Sequence, residues 1–459
     1  MFGHPVVDQT IHKHALDALG IFAYLLAFFA VAVATRRRPA LGVAAVIAVD
    51  PFALYRDVGD TTLTLPKIVL LAMIAGLALR RDLGGALRDL ANDRWARPLL
   101  VCGALVAFAT ALSIGVAEHR GPAVRETLKA IEYFVLFCTV VVALKLDPDE
   151  LVVRVAIGAT LGAVTVLALS QEVLGAPSGF WFFNHPIPRI AGPLEGPNQL
   201  SGYLGLTLPV VAAFVLLRKP SRWEFALLAL GSMALVLTLS RAGTVAVVLS
   251  LALVVWLAPS PQRRNALLSI AAGAAAGLGI LVLYGSTSLL ARFSSVAEVE
   301  RSGGVGTRGV LWRAAWMLWR QHPLLGIGAG NFELEIPKVG PAGVRTHANS
   351  LYLQALVEGG APLAAATLAT VAASIFSFAR GPLRQPLVLG ALAASAGLAA
   401  HQIFDLLVFY PKVGGMWWIV LGAGVATLGT VAAPTPGRPA PARPLRKAGT
   451  GALGPRASR

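Results

Sequence analysis

The sequence predicts an all-α integral membrane protein, a bundle of about twelve transmembrane helices with one large periplasmic loop that itself contains short helices. Three observations carry this prediction. Hydrophobic residues make up 56% of the 459 and charged residues only 14%, with a mean hydropathy of +0.70, far from soluble composition. Apolar runs long enough to cross a hydrocarbon core about 30 Å thick recur from end to end. Basic residues collect in alternate connections between those runs.

The runs lie at 16–34, 63–79, 98–116, 127–144, 151–174, 198–217, 223–239, 242–258, 266–284, 361–379, 386–400 and 415–433. A shorter one at 40–54 holds Asp50 and Pro51, which suit re-entry as well as crossing. Met1 to Asp17 is polar and lacks a basic segment followed by a small-residue cleavage site, so the first run is expected to stay in the membrane.

The net charge of +16 would suit nucleic acid if it formed one patch, but it is distributed as a topology signal. Arg36 to Arg38, then Arg80, Arg81, Arg88, Arg94 and Arg97, then Arg218, Lys219 and Arg222, then Arg263 and Arg264, then Arg380 and Arg384 mark one side. By the positive-inside rule that side is cytoplasmic. The connections 56–62, 117–126, 175–197, 240–241, 285–347 and 401–414 then lie outside, with the N-terminus. Residues 1–433 form the membrane domain, including the loop 285–347, and 434–459 read as a basic Pro/Gly-rich cytoplasmic tail without periodicity, expected to be disordered. Cys102 and Cys138 fall inside spans, as packing residues rather than a disulfide or metal pair.

The long loop has structure of its own. Thr307 to Gln321 has helical periodicity, with Trp312, Trp316 and Trp319 along one side. Arg308 projects within about 80° of that stripe, an unusual place for a charge on a lipid-facing or core-facing side. His322 to Phe332 is Gly-rich, and without a preceding strand it is no phosphate loop.

The topology gathers Arg189, Arg241, Arg308 and His347 at the outer membrane face although they are far apart in sequence. Arg241 stands in an LSRAG turn with almost no loop to carry it into water, where it either snorkels to headgroups or faces a cavity or anion. His347 comes just before the chain re-enters the bilayer, as a structural hydrogen-bonding residue or a base. Guanidinium groups suit a lipid pyrophosphate leaving group, through forked charge-assisted hydrogen bonds. An imidazole suits removal of a proton from a sugar hydroxyl. No metal or other cofactor is then required, and a single displacement inverts the anomeric configuration.

At these residues the chain resembles the O-antigen ligase and polymerase family. The matching pieces are RIAGPLEGPNQLSGYL from Arg189, LSRAG around Arg241, TRGVLWRAAW around Arg308, HPLLGIGAGNF, and THANSLYLQALVEGG around His347. The resemblance implies a membrane glycosyltransferase of the bacterial inner membrane, its active site facing the periplasm. It implies an undecaprenyl-pyrophosphate-linked glycan as donor, lipid A core or a growing glycan as acceptor, surrounding membrane lipids, and no nucleic acid. It gives His347 the base role and Arg241, Arg308 and, less distinctively, Arg189 the substrate-binding role, with ligase preferred over polymerase.

Two rival readings compete. Asp57 and Asp60 in YRDVGDT would have to hold a metal in a carboxylate-dependent oligosaccharyltransferase, although a solvated turn accounts for them. A transporter would place its polar groups near the midplane, with Lys67, Lys129 and Glu132 as witnesses, although Lys129 and Glu132 are spaced to pair with each other. His12 and His14 flanking Lys13 carry little metal signal. His401 and Asp405 are spaced to hydrogen-bond, and Glu358 reads as part of a helix end.

Overall fold

A computed structural model describes residues 18–52, 55–58, 61–174, 189–294, 305–340 and 346–432. The N-terminal histidines, Asp60 and the tail beyond 433 lie outside the described residues. The architecture is helical, as the composition requires, with one addition. After α1 (Ala18–Arg37) and α2 (Pro39–Val49) the chain forms a two-stranded antiparallel hairpin, β1 (Tyr55–Val58) and β2 (Thr61–Thr64), with Tyr55 opposite Thr64. Tyr55–Val58 and Thr61, expected within a plain turn of an all-α chain, thus lie on paired strands. The β-branched Val58, Thr61, Thr62 and Thr64 favour extended backbone.

The chain continues through α3 (Leu65–Ala78), α4 (Leu83–Asn92), α5 (Arg97–Ser113), α6 (Arg120–Leu146) and α7 (Glu150–Leu174). Then come α8 (Pro197–Leu217), α9 (Arg222–Leu237), α10 (Arg241–Leu257) and α11 (Arg263–Ser294). Beyond a long connection lie α14 (Leu351–Ala379), α15 (Pro386–His401) and α16 (Pro411–Ala432); that connection holds α12 (Val305–Gln321), α13 (Phe332–Glu335) and a 3-10 turn, Ile336–Lys338. Among the described residues, α6, α7, α8, α11, α14 and α16 are each long and apolar enough to cross a membrane, six in all. The pair α4 and α5, bent by 91°, adds a seventh if taken as one broken span. The apolar helices α2, α3, α10 and α15 are shorter. The chain is a multi-pass membrane protein.

Helix α8 is the axis, buried along nearly its whole length, and α15 and α16 pack beside it. Outer helices instead expose large apolar side chains, such as Phe22 and Phe29 on α1 and Val245 and Leu249 on α10, as a lipid-facing surface requires. Without water to drive apolar association, membrane helices gain from close approach. A Cβ added at Gly273 would stand 1.9 Å from the Ala229 carbonyl oxygen, so α11 meets α9 backbone to backbone.

Ion pairs sort the connections into two ends. Arg218 reaches Glu150 at 2.7 Å, Arg154 reaches Glu224, Lys145 reaches Asp93 and Arg38 reaches Asp149. All lie at the end of the bundle that carries the Arg-rich connections. The opposite end gathers 113–119, 189–195, 238–241, 327–340, 346–351 and 401–412 through contacts such as Ala329 N to Ser113 Oγ (3.0 Å) and Lys412 to Glu195 (3.6 Å). The alternation read from the basic residues is therefore the alternation of the bundle's two ends.

Candidate functional site

The end opposite the Arg-rich connections is organised by a break in α14. Gly360 has φ 63° and ψ −159°, inside a helix that also contains Pro362. The break leaves carbonyls without helical partners, and the Gly-rich segment 322–332 supplies them. Ile327 N donates to Val357 O at 3.0 Å and Gly328 N to Glu358 O at 2.9 Å. A Cβ at Gly360 would stand 2.2 Å from the Leu324 carbonyl oxygen, so only glycine lets the segment close on the break. Asn331 then ties the segment to the α5–α6 turn, accepting from His119 N at 3.0 Å and donating to His119 O at 3.1 Å. The expected Gly-rich turn is a docking element.

Helix α12 lies on this platform. Leu311, Ala314, Ala315 and Leu318 are its buried face, against Ile327, Phe332, Ile336, Ala348 and Val357. Small alanines let α12 approach α14 closely, whereas Trp316 is left 48% exposed. Trp312 stacks on Phe404 with ring centroids 6.1 Å apart. One turn earlier Arg308 is half-buried. Burial first, and then nearby Arg241, push its guanidinium below the ordinary value, while Asp405 opposes them. Arg308 Nε is buried without a hydrogen-bond partner among the described residues, as are Trp312 Nε1, His401 Nε2 and Asp405 Oδ2 nearby in the fold. The expected His401–Asp405 pair comes no closer than 4.0 Å.

Arg241 is the first residue of α10, with Ser240 as its cap and Ser240 Oγ accepting from Gly243 N at 3.3 Å. A cation at the positive end of a helix is unfavourable by itself, and the same end with its free N–H groups favours an anion. Arg189 Nε donates to Thr238 O at 2.8 Å and its Nη2 to Asn198 Oδ1 at 3.0 Å, fixing the turn that carries Arg241. Among the described residues the non-glycine positions with positive φ are Leu239 (53°) and Asn349 (49°). Each is two residues from a site residue, Arg241 or His347, and such backbone strain concentrates at functional sites.

His347 forms part of the wall of a cavity of ≈ 730 Å³ that also touches Lys67, Lys129, Glu132, Glu195, Glu333 and Lys412. Its Nε2 lies 3.1 Å from Glu333 Oε1 and its ring packs 4.3 Å from that of Phe409. Burial, then Lys129, push the imidazole down to about 4, against the opposing pull of Glu126 and Asp405. The ring is therefore neutral at pH 7. The structure brings His347, Arg241 and Arg308 to one end of the bundle, and the charge of Asp405 acts on both His347 and Arg308. It does not put the three arginines in the wall of the His347 cavity.

One pairing differs from expectation. Lys129 pairs with Glu126 at 2.7 Å rather than with Glu132, because it reaches toward the outer end to bond Phe409 O at 2.9 Å. Glu132 instead faces Lys67 at 3.8 Å. Glu118, His119 and Glu335 have ligand atoms within 4.8 Å of one another, but Lys338 Nζ sits 2.7 Å from both carboxylates and supplies the positive charge there.

Sequence reasoning missed Glu333, Gln354, Lys412 and Glu195, and read Glu358 only as a helix end. For Glu333 no sequence signal existed. For Lys412 and Glu195 the signal was charge in outer connections next to apolar spans.

A multi-pass helical membrane protein with arginines, a strained turn and a neutral histidine collected at one end has the makings of an enzyme acting on an anionic substrate at the membrane boundary. Residues 225–368 match the family described as O-antigen ligase, and this match supports the O-antigen ligase and polymerase superfamily. The match includes Arg241, Arg308 and His347 and leaves Arg189 outside. It supports a transferase of the glycan ligase or polymerase kind, working on lipid-linked glycan. No curated protein matches the chain.

Proposed function

We propose that this protein transfers a glycan from undecaprenyl pyrophosphate to an acceptor hydroxyl at the periplasmic face of the bacterial inner membrane, as an O-antigen ligase acting on lipid A core. The observation that carries the reading is Arg308, whose Nε is buried without a hydrogen-bond partner among the described residues, at the end of the bundle where Arg241 begins α10. Arg308 feels the charges of Arg241 and of Asp405, so two guanidinium groups stand here against one carboxylate. A pyrophosphate supplies the balancing negative charge, through charge-assisted forks that strengthen as the leaving group gains charge. Arg189 belongs to the same substrate site through the 238–241 turn that it holds.

His347 is the general base. It takes the proton of the acceptor hydroxyl as that oxygen bonds to the anomeric carbon. The carbon–oxygen bond to pyrophosphate breaks, and the lipid pyrophosphate leaves with the electron pair. Attack opposite the leaving group inverts the anomeric centre, and the guanidinium groups do the electrostatic work without a metal.

The test is to incubate the purified protein with its lipid-linked glycan alone and then with added lipid A core, resolving product lengths after exhaustive chelation. Transfer only after lipid A core is added supports the ligase. Chain growth without it assigns the protein to the polymerases, and loss of both on chelation contradicts metal-independent transfer.

A further inference from the structure

His347 has a carboxylate neighbour. Its Nε2 lies 3.1 Å from Glu333 Oε1, while Nδ1 is buried and has no hydrogen-bond partner among the described residues. One bracket on α14 holds both. Gln354 Oε1 accepts from Ala348 N at 2.8 Å, and Gln354 Nε2 donates to Glu358 Oε1 at 2.8 Å. Glu358 Oε1 also accepts from Phe332 N at 3.2 Å. The residue after His347 and the residue before Glu333 are therefore pinned to the same two buried side chains. Other ionisable groups facing the imidazole are Glu126 and Lys129 from α6, paired with each other, and Asp405 and Tyr410 from the 402–410 connection.

A histidine that donates from one ring nitrogen to a carboxylate has its tautomer and its orientation set. We propose that Glu333 is the positioning residue of His347: it holds Nε2–H, makes Nδ1 the basic atom, and stabilises the imidazolium once Nδ1 has taken the acceptor proton. This rests on His347 being the general base. The proton received on Nδ1 returns to solvent after the lipid pyrophosphate departs, so the dyad is unchanged over a turnover.

The test uses the full chain in nanodiscs, with ring-15N histidine and the His347 signals identified by their loss in His347→Gln. Glu333→Ala, Glu333→Gln and Glu333→Asp are compared for the His347 tautomer and titration, and for kcat and KM with lipid-linked glycan extracted from the producing cells. The expected wild-type neutral ring carries its proton on Nε2. Glu333→Ala should lower kcat about 10- to 100-fold with KM within about twofold. It should also move the His347 titration and the acid limb of the rate profile to lower pH, because the carboxylate no longer favours imidazolium. Glu333→Gln keeps the shape and the acceptor oxygen and should lose less, and Glu333→Asp should recover part of the rate. A ring protonated on Nδ1, or a Glu333→Ala variant with unchanged kcat and titration, overturns the proposal. Full activity in His347→Gln would overturn the base reading, while tautomer and titration would still report whether Glu333 holds the ring.

Discussion

Glu358 accepts a hydrogen bond from the Phe332 backbone N–H at 3.2 Å, joining α14 to the segment before it across 26 residues. Removing that acceptor leaves a buried N–H and the Gln354 amide unpaired. Each such loss costs about 1–3 kcal/mol. Glu358→Ala should therefore lower the thermal midpoint in detergent and abolish transfer together, whereas Glu358→Gln, which keeps an acceptor oxygen, should retain most of the stability. Thermal unfolding of the two variants beside wild type checks this.

His347 contributes a pH dependence whose sign follows from its environment. Its value in the folded protein, about 4, lies below the ordinary 6.5. The unfolded chain therefore binds the extra proton first, and stability is lost as pH falls from 6.5 toward 4. The base also stays unprotonated over the same range. Transfer should then hold its rate down to about pH 5, below where an unperturbed histidine would have lost it. A rate profile with an acid limb centred near 6.5 would contradict the buried ring.

The fork geometry of guanidinium matters at Arg241 and Arg308. Replacing either with lysine keeps the charge but not the two parallel donors, and about 10- to 1000-fold should be lost from kcat/KM. Binding of undecaprenyl pyrophosphate by itself should weaken in both. If Arg308→Lys binds and turns over like wild type, Arg308 orders the loop and does not contact the donor.

Arg189→Ala removes the donors that hold Thr238 O and Asn198. The Leu239 turn, already at φ 53°, should relax and let Arg241 move. Donor affinity is expected to fall less than in Arg241→Ala. Equal losses in the two variants, measured with undecaprenyl pyrophosphate, would instead give Arg189 a direct contact.

Much of this was legible in the sequence because membrane crossing imposes strong patterns. Apolar runs located the helices, and arginine clusters separated the two ends of the bundle. The LSRAG and THANSLYLQ motifs located Arg241 and His347. The paired strands at 55–58 and 61–64 were missed because two four-residue stretches of mixed polarity read equally well as a turn. The tryptophan stripe left open which face of α12 packs, because close packing selects the small Ala314 and Ala315. Glu333, Gln354 and Glu358 became a unit only through the break at Gly360, a tertiary event that no local periodicity encodes.

The most direct measurement of the central claim compares His347→Gln with wild type on the same preparation of lipid-linked glycan, recording donor binding and transfer in parallel. Binding within about twofold of wild type with transfer reduced at least about 100-fold is the expected result, since a general base acts in the chemical step and the arginines hold the donor. Transfer at the wild-type rate would contradict it.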